Sequence, residues 1–279
     1  MVLQLGLIGH PISHSLSPWI HTELLKLARI EGEYKLYPGK EEELPSVLRR
    51  LRESSINGFN ITVPYKERIL DYLDEIDPEA ERLGAVNTVV QRNGKWKGYN
   101  TDGEGYVRSI QRSFPPLLQK QASILLLGAG GAARGIYNAL MKLPLERVDI
   151  ANRSLSKAEQ FLTMQMGRSD SSILSYEEAE QQLNHYDLII QTTSVGMKPA
   201  INHQIIPLYN IKKNAVVSDI VYQPIMTAFL KDAKNHGAKI HHGHAMLLYQ
   251  AQLAFEKWTG IDVEAEHLVD QLEQQLRGG

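Results

Sequence analysis

Alternating strand and helix patterns in both halves of the 279-residue chain predict an α/β protein of two α/β domains, one of them a doubly wound parallel sheet. Two further observations support this. The stretch Ser123-Ile-Leu-Leu-Leu-Gly-Ala-Gly-Gly-Ala-Ala-Arg-Gly135 reads as a buried strand followed by a glycine turn that opens a helix. Two helical patterns, Ala245–Trp258 and Val263–Leu276, follow the last expected strand and are not needed to complete that sheet, so they are available to the other domain.

The N-terminal half begins with the apolar run Leu3–Ile8, a short strand ending at Gly9. A polar loop follows, and Ser17-Pro18 reads as an N-cap with proline at the first helical position, ahead of the helical residues Trp19 to Ala28. Glu33–Tyr37 is a strand, Glu41–Arg52 a helix, and Gly58–Val63 a strand stopped by Pro64. Helical patterns cover Lys66–Leu73 and the residues after Pro78. Val89–Arg92 and Trp96–Tyr99 flank Asn93-Gly94, the dipeptide that suits a tight hairpin. A helix over Asp102–Ser113 ends at Phe114-Pro-Pro116. The second half then repeats strand and helix, with strands at 123–127, 147–151, 187–191, 215–219 and 238–241.

Composition narrows the function classes. Hydrophobic residues make up 43% and charged residues 22%, as in ordinary globular chains, and the net charge of −2 comes from interspersed signs. No basic stripe points to nucleic acid or an anionic membrane surface. The absence of cysteine removes disulfides, thiolate metal sites and a cysteine nucleophile. The N-terminus has no cationic segment ahead of a long apolar run, and no run of about 18 apolar residues occurs. The expectation is a cytoplasmic protein.

The glycine turn carries the clearest chemistry. Gly128, Gly130 and Ala133 fit G-x-G-x-x-G/A, the form that lets backbone approach a pyrophosphate at a helix N-terminus. The whole turn, with Ala129, Gly131 and Ala132, is therefore an expected cofactor segment of a Rossmann-type domain. At the end of the next strand an NAD enzyme usually carries a carboxylate for the ribose hydroxyls. Here the tip is Ala151-Asn-Arg-Ser-Leu-Ser-Lys157, with Arg153 and Lys157 cationic and Asn152 and Ser154 neutral donors and acceptors. Such a tip favours a 2′-phosphate and hence NADP(H). Asp149 is the competing group, three residues inside the strand.

Other polar clusters sit at strand-to-loop junctions of the first half: Ser13–Ser17, Asn60–Lys66, Gly84–Thr88 and Asn100–Asp102. Junctions of this kind are where open α/β sheets bind ligands, and this set of hydroxyls, amides, one lysine and one carboxylate suits a small polyhydroxylated acid. Taken singly, each has a bland alternative, such as a helix cap at Ser17 or Asp102 and turns at Asn87 and Asn100.

Together the clusters resemble the shikimate dehydrogenase family over the whole chain and in colinear order. The segments are SHSLSP (13–18), NITVPYKE (60–67), GAVNT (84–88), YNTDGEG (99–105), LGAGGAARG (127–135), NRS (152–154), TSVGM (193–197) and GHAMLLYQA (243–251). The resemblance implies NADPH-dependent reduction of 3-dehydroshikimate to shikimate, a step of aromatic amino acid and chorismate biosynthesis. It implies Lys66 and Asp102 as the catalytic pair. Ser15, Ser17, Thr62, Lys66, Asn87, Asp102, Tyr222 and Gln250 would hold the substrate, and Ile220 and Gly243 would lie near the nicotinamide. Residues 1–103 and 240–279 would then form a discontinuous substrate-binding domain, and 104–239 the NADP-binding domain. The implied partner is the small-molecule substrate, with no nucleic acid or membrane, and the chain would act as monomer or homodimer.

Two alternatives stand beside this one: a quinate/shikimate dehydrogenase with relaxed substrate or cofactor choice, and a dinucleotide-binding sensor without catalysis. Lys66 and Asp102 count against the sensor, which needs neither. His241, His242 and His244 raise a metal site, but a strand and turn would splay the rings and no Cys or nearby Asp completes a set, so no metal is expected. The chain departs from the family pattern at Gln191-Thr-Thr-Ser194, commonly N-A-T-S, at Lys157, often arginine, and at Ile220, often methionine.

Overall fold

The computed structural model describes residues 2–118, 121–165 and 169–278. They form two compact units, each described by itself. The first comprises the residues up to Thr101 together with Gln250–Leu268; the second runs from Asp102 to Tyr249 and takes in the residues from Val269 on.

Strands β1 (Leu3–Gly9), β2 (Gly32–Pro38), β3 (Gly58–Ile61), β4 (Glu75–Ile76), β5 (Thr88–Arg92) and β6 (Lys95–Tyr99) make one mixed sheet in the order β2-β1-β3-β5-β6-β4. Helices α1 (Ser17–Ala28), α2 (Leu44–Glu53) and α3 (Pro78–Leu83) connect its strands. The first three sheet neighbours run parallel, and β5 pairs antiparallel with both β3 and β6. The hairpin between β5 and β6 turns at Asn93 and Gly94, with φ of 53° and 79°, the left-handed pair that Asn-Gly supplies at low cost. Leu44, Val47, Leu48 and Leu51 of α2 bury one stripe against Phe59, Ile61 and Trp96 of the sheet.

In the second unit β7 (Ser123–Leu127), β8 (Arg147–Ala151), β9 (Ile173–Leu174), β10 (Leu188–Gln191), β11 (Val216–Asp219) and β12 (Lys239–His242) form a sheet ordered β12-β11-β10-β7-β8-β9, parallel throughout. Read from β9, this is the doubly wound order whose direction reverses beside β7, the strand leading into the glycine turn. Helices α4 (Asp102–Ser113), α5 (Gly131–Leu140), α6 (Leu155–Glu159), α7 (Tyr176–Gln181) and α8 (Ala228–Asn235) accompany it. Ile124 and Leu126 join the core shared with α5, whereas Leu125 and Leu127 join the core shared with α8. Burial on both faces explains why the β7 sequence is apolar at successive positions. α9 (Gly243–Thr259) and α10 (Leu268–Gly278) complete the chain. Among the described residues no helix is long and apolar enough to cross a membrane.

Four expectations differ from the structure. The helix expected over Lys66–Leu73 is a short 3-10 turn at Arg68–Tyr72, because the Lys66 carbonyl accepts from the Val86 N–H at 2.8 Å and is lost to a helical ladder. Ser17 does not cap α1: it is the first helical residue, and its N–H donates to Ser15 Oγ at 3.2 Å. The last helix starts at Leu268 rather than Val263, whose carbonyl accepts from Gln252 Nε2 at 2.6 Å. The units divide at Thr101/Asp102, Tyr249/Gln250 and Leu268/Val269: β12 pairs with β11 and keeps the start of α9 with the second unit, and the residues from Val269 on belong there as well.

α4 crosses α5 at Gly103, where an added Cβ would sit 2.0 Å from the Gly135 carbonyl oxygen. Because that atom is helix backbone, it cannot yield without separating the helices. Gly103→Ala is expected to destabilise the second unit by about 1–3 kcal/mol or more, read from urea unfolding followed by circular dichroism.

Candidate functional site

In the first unit three loops are laced together at the ends of β3, β5 and β6. Asn60, at the end of β3, donates from Nδ2 to the Asn87 carbonyl oxygen and to Thr88 Oγ1, both at 3.1 Å. Asn87 Oδ1 accepts from the Thr101 N–H at 2.9 Å, and its Nδ2 donates to Thr101 Oγ1 at 2.9 Å and to Gln250 Oε1 at 3.4 Å. Thr101 Oγ1 donates to the Gln250 carbonyl at 3.0 Å, and Asn100 Nδ2 to the Ala85 carbonyl at 3.0 Å. The Thr62 N–H donates to the Ile8 carbonyl at 3.0 Å, fixing the start of the loop that carries Lys66. Tyr65 is fully buried with its hydroxyl on the Gly39 carbonyl, while Thr62 and Lys66 on either side of it are half-buried. The Ser15 and Ser17 hydroxyls lie 3.1 Å apart at the start of α1. Asn60, Thr88 and Thr101 were not singled out from the sequence, although each lies inside a quoted motif. Their signal is the run of uncharged polar residues next to strands whose other positions are apolar.

In the second unit a cleft of about 380 Å³ is lined by Ala129, Gly130, Asn152, Arg153, Ser154 and Lys157 on one side and Thr192–Ser194 on the other. Gly128 has φ of +111°, and a Cβ there would meet Thr193 Cγ2 at 2.5 Å, so only glycine fits. A Cβ on Gly130, which lines the cleft, would meet nothing within 4 Å, so backbone faces open space there. Arg153 and Lys157 are exposed, and the lining residues include no carboxylate. These residues fit a dinucleotide carrying a ribose phosphate: backbone and helix N-terminus for the pyrophosphate, cations for the extra phosphate. Asp149, the competing ribose group, is 1% exposed, accepts from the Ser172 N–H at 2.8 Å and from the Tyr186 hydroxyl at 2.7 Å, and lies outside the cleft lining.

Residues 7–89 match the description "Shikimate dehydrogenase substrate binding domain", 109–222 "Shikimate / quinate 5-dehydrogenase" and 243–273 "Shikimate 5'-dehydrogenase C-terminal domain". The chain belongs to the shikimate dehydrogenase family. A shikimate dehydrogenase (NADP(+)) of Oceanobacillus iheyensis is 50% identical over the full length of both chains. The Thermus thermophilus shikimate 5-dehydrogenase, solved with NADP(H) and shikimate, is 34% identical, with a TM-score of 0.86 over 99% of each chain. A quinate dehydrogenase of Corynebacterium glutamicum, solved with NAD, is 28% identical, with a TM-score of 0.87 over 100% of this chain and 99% of its own.

Within this family fold the strand tips around Gln191 and Asp219 form a second cross-link. Gln191 Nε2 donates to Asp219 Oδ1 at 3.1 Å and to the Val195 carbonyl at 3.0 Å, and its Oε1 accepts from the Thr193 N–H. The longer side chain at this departure from the family pattern thus spans from the Thr192–Ser194 loop to Asp219. Asp219 also accepts from the Val221 N–H at 2.9 Å and the Thr227 hydroxyl at 2.7 Å, which shapes the loop carrying Ile220 and Tyr222. A Cβ on Gly243 would meet the Ile220 carbonyl oxygen at 2.4 Å, so the second unit brings Ile220 and Gly243 together. Tyr222 and Asp102 also belong to this unit, whereas Ser15, Ser17, Thr62, Lys66, Asn87 and Gln250 belong to the first. His242 and His244 lie with ring centroids 5.8 Å apart, but His241 and His242 bond different partners. His241 Nδ1 is 2.9 Å from Ser218 Oγ, His242 Nδ1 is 2.9 Å from the Ile225 carbonyl, and His244 is buried. Among the described residues no group of three metal-ligating side chains gathers.

Burial pushes the Asp219 carboxyl up to about 7, against the opposing pull of its three donors. The folded state therefore binds this proton more tightly than the unfolded chain. The stability it contributes is complete below about pH 4 and lost as pH rises through about 7. Asp219→Asn imitates the neutral form. Its stability relative to wild type is expected to improve between pH 5 and pH 8 by an amount on the order of 2 kcal/mol, measured by urea unfolding of both proteins at each pH.

Proposed function

We propose that this chain catalyses the reversible NADP-dependent reduction of 3-dehydroshikimate to shikimate, with Lys66 and Asp102 as the catalytic pair. The supporting observation is the lacing of the first unit. The Lys66 carbonyl accepts from the Val86 N–H at 2.8 Å, and the Thr101 N–H donates to the Asn87 side chain at 2.9 Å. Lys66 and the residue before Asp102 are thus bonded to consecutive residues, which suits two side chains that serve one substrate.

NADPH, when bound, supplies the hydride. As the carbonyl carbon is reduced, negative charge grows on its oxygen. The Lys66 ammonium stabilises that charge and is the source of the proton, directly or through water. The Asp102 carboxylate accepts from a neighbouring substrate hydroxyl. Ser15, Ser17, Thr62, Asn87, Tyr222 and Gln250 complete a hydrogen-bonding set for the acid and its ring hydroxyls, and Ile220 and Gly243 border the nicotinamide. The cofactor choice rests on Arg153 and Lys157 in the cleft lining and on the internal engagement of Asp149. In this reading the enzyme is cytoplasmic, acts as monomer or homodimer, and engages neither nucleic acid nor membrane. Turnover assayed with shikimate and with quinate, each with NADP+ and NAD+, tests it. Preference for quinate with NAD+ would favour the relaxed-specificity alternative, and no turnover of either would favour the sensor.

Two substitutions probe the roles. Arg153→Ala is expected to weaken NADPH binding by about 1.5–3 kcal/mol, as for a hydrogen bond to a charged group, and to leave NADH binding nearly unchanged. Equal losses in fluorescence titrations of the two cofactors would remove Arg153 as a phosphate ligand. Lys66→Ala is expected to lower kcat by about 10²–10⁴-fold while shikimate and NADP+ still bind, because the interaction strengthens as the alkoxide develops. A rise in KM alone, with kcat near wild type, would make Lys66 a binding group only.

A further inference from the structure

Beyond Gln191 the chain leaves the second sheet. The Thr192 N–H and hydroxyl still bond the Leu127 carbonyl, at 2.9 and 2.8 Å, but residues 193–195 lie past the last strand pairing of β10. Thr193 and Ser194 nevertheless line the cofactor cleft, and the Thr193 methyl packs over Gly128 of the dinucleotide turn. The side chain of Gln191, itself fully buried, spans this stretch. The Val195 carbonyl can only accept and the Thr193 N–H can only donate, so these two backbone groups fix which end of the amide is Nε2 and which is Oε1. The amide thus bonds both ends of the 193–195 turn.

Nε2 also donates to Asp219 Oδ1 at 3.1 Å. That oxygen receives the Val221 N–H at 2.9 Å as well, and both partners are donors only, so Oδ1 is an acceptor in either protonation state of the carboxyl. A proton on Asp219 belongs on Oδ2, 2.7 Å from the Thr227 hydroxyl. The link from Gln191 to Asp219 is therefore independent of that proton. Thr227 caps α8 by accepting from the Leu230 N–H at 3.2 Å, which anchors the far side of Asp219 to a helix. An asparagine at 191 could accept from the N–H two residues on, but it is a methylene too short to reach Asp219 from the same place.

We propose that Gln191 is a positioning residue for the cofactor: by tying the 193–195 turn to Asp219 it holds in place the cleft wall that Thr193 and Ser194 form. The inference rests on the reading of this cleft as the dinucleotide site. Gln191 is not among the lining residues and acts through the two that are. Without its amide, the Thr193 N–H, the Val195 carbonyl and Asp219 Oδ1 each lose a partner, and the turn loses its side-chain bond to the tip of β11. The wall stands across the cleft from Arg153 and Lys157, so its displacement affects a dinucleotide with or without the ribose phosphate.

The test is fluorescence titration of NADPH and NADH, with the shikimate KM measured at saturating NADP+, on three variants. Gln191→Met keeps the length of the side chain and removes its polar groups, Gln191→Asn keeps an amide that falls short of Asp219, and Asp219→Asn keeps the Oδ1 acceptor. Gln191→Met is expected to weaken NADPH and NADH by the same factor, about tenfold, with the shikimate KM within about twofold of wild type. Gln191→Asn is expected to weaken both by about threefold or more, and Asp219→Asn to bind both within about twofold of wild type. Unchanged cofactor binding in Gln191→Met would overturn the proposal, and so would a loss confined to NADPH. A parallel rise in the shikimate KM, the mark of general destabilisation, would do the same. So would a Gln191→Asn equal to wild type, or an Asp219→Asn as impaired as Gln191→Met. If Gln191→Met does not fold, the two asparagine variants decide. Wild-type protein that binds neither dinucleotide would sink the reading of the cleft itself, whereas wild-type binding with insensitive Gln191 variants sinks only this inference.

Discussion

The loops of the first unit depend on the side-chain amide of Asn87. It is 2% exposed and bonds Thr101, Thr88 and Gln250, while its own backbone bonds Ile61 and Tyr99. Leaving one such buried group unpaired costs about 1–3 kcal/mol, so a shift of any one loop against the others would forfeit several bonds together. That shared penalty makes the alignment of β3, β5, β6 and α9 cooperative. Asn87 and Gln250, two of the residues read as substrate-binding, are thereby bonded to each other within that lattice.

The second unit solves the corresponding problem with a carboxyl group. Asp219 collects Gln191, Val221 and Thr227 at the ends of β10 and β11, the side of a doubly wound sheet where ligands bind. A carboxylate gathers more donors than an amide oxygen, but burial makes its charge costly, as its raised pKa records. The neutral lattice carries no comparable charge cost and is indifferent to pH near neutrality. The two units thus hold their loops by different physics.

Much of this was legible in the sequence because local chemistry dictated it. Asn93-Gly94 could make little other than a tight hairpin, and the apolar β7 followed by Gly128-Ala-Gly130 announced both the sheet and the dinucleotide turn. The misreadings occur where a distant partner takes a backbone group. Val86 claims the carbonyl of Lys66 and Gln252 that of Val263, and in both places a helical pattern yields to the tertiary bond. The edge strands β4 and β9 are two residues each, too short for a periodic signal. Tyr34 and His21 were invisible for a related reason: a tyrosine in a strand and a histidine on an apolar helix face look like ordinary core, and only the fold shows the Tyr34 hydroxyl on Asn60 and the His21 ring stacked on the phenol.

The contrast between lattice and loop bears on specificity. In the proposed reading the cofactor's phosphate meets Arg153 and Lys157, exposed side chains whose attraction is screened by salt. Substrate hydroxyls, in the proposed reading, meet groups that are buried or half-buried. An analogue lacking a hydroxyl would leave one of them unpaired, and sites of that kind discriminate by far more than an added or missing apolar group can. Changing cofactor preference therefore asks for substitutions in one loop, after β8, that touch no core residue. Changing the pattern of ring hydroxyls asks for Asn87 or its partners to change together, since the Asn87 amide bonds Thr88, Thr101 and Gln250 at once. The fold leaves the first choice open to small steps and protects the second.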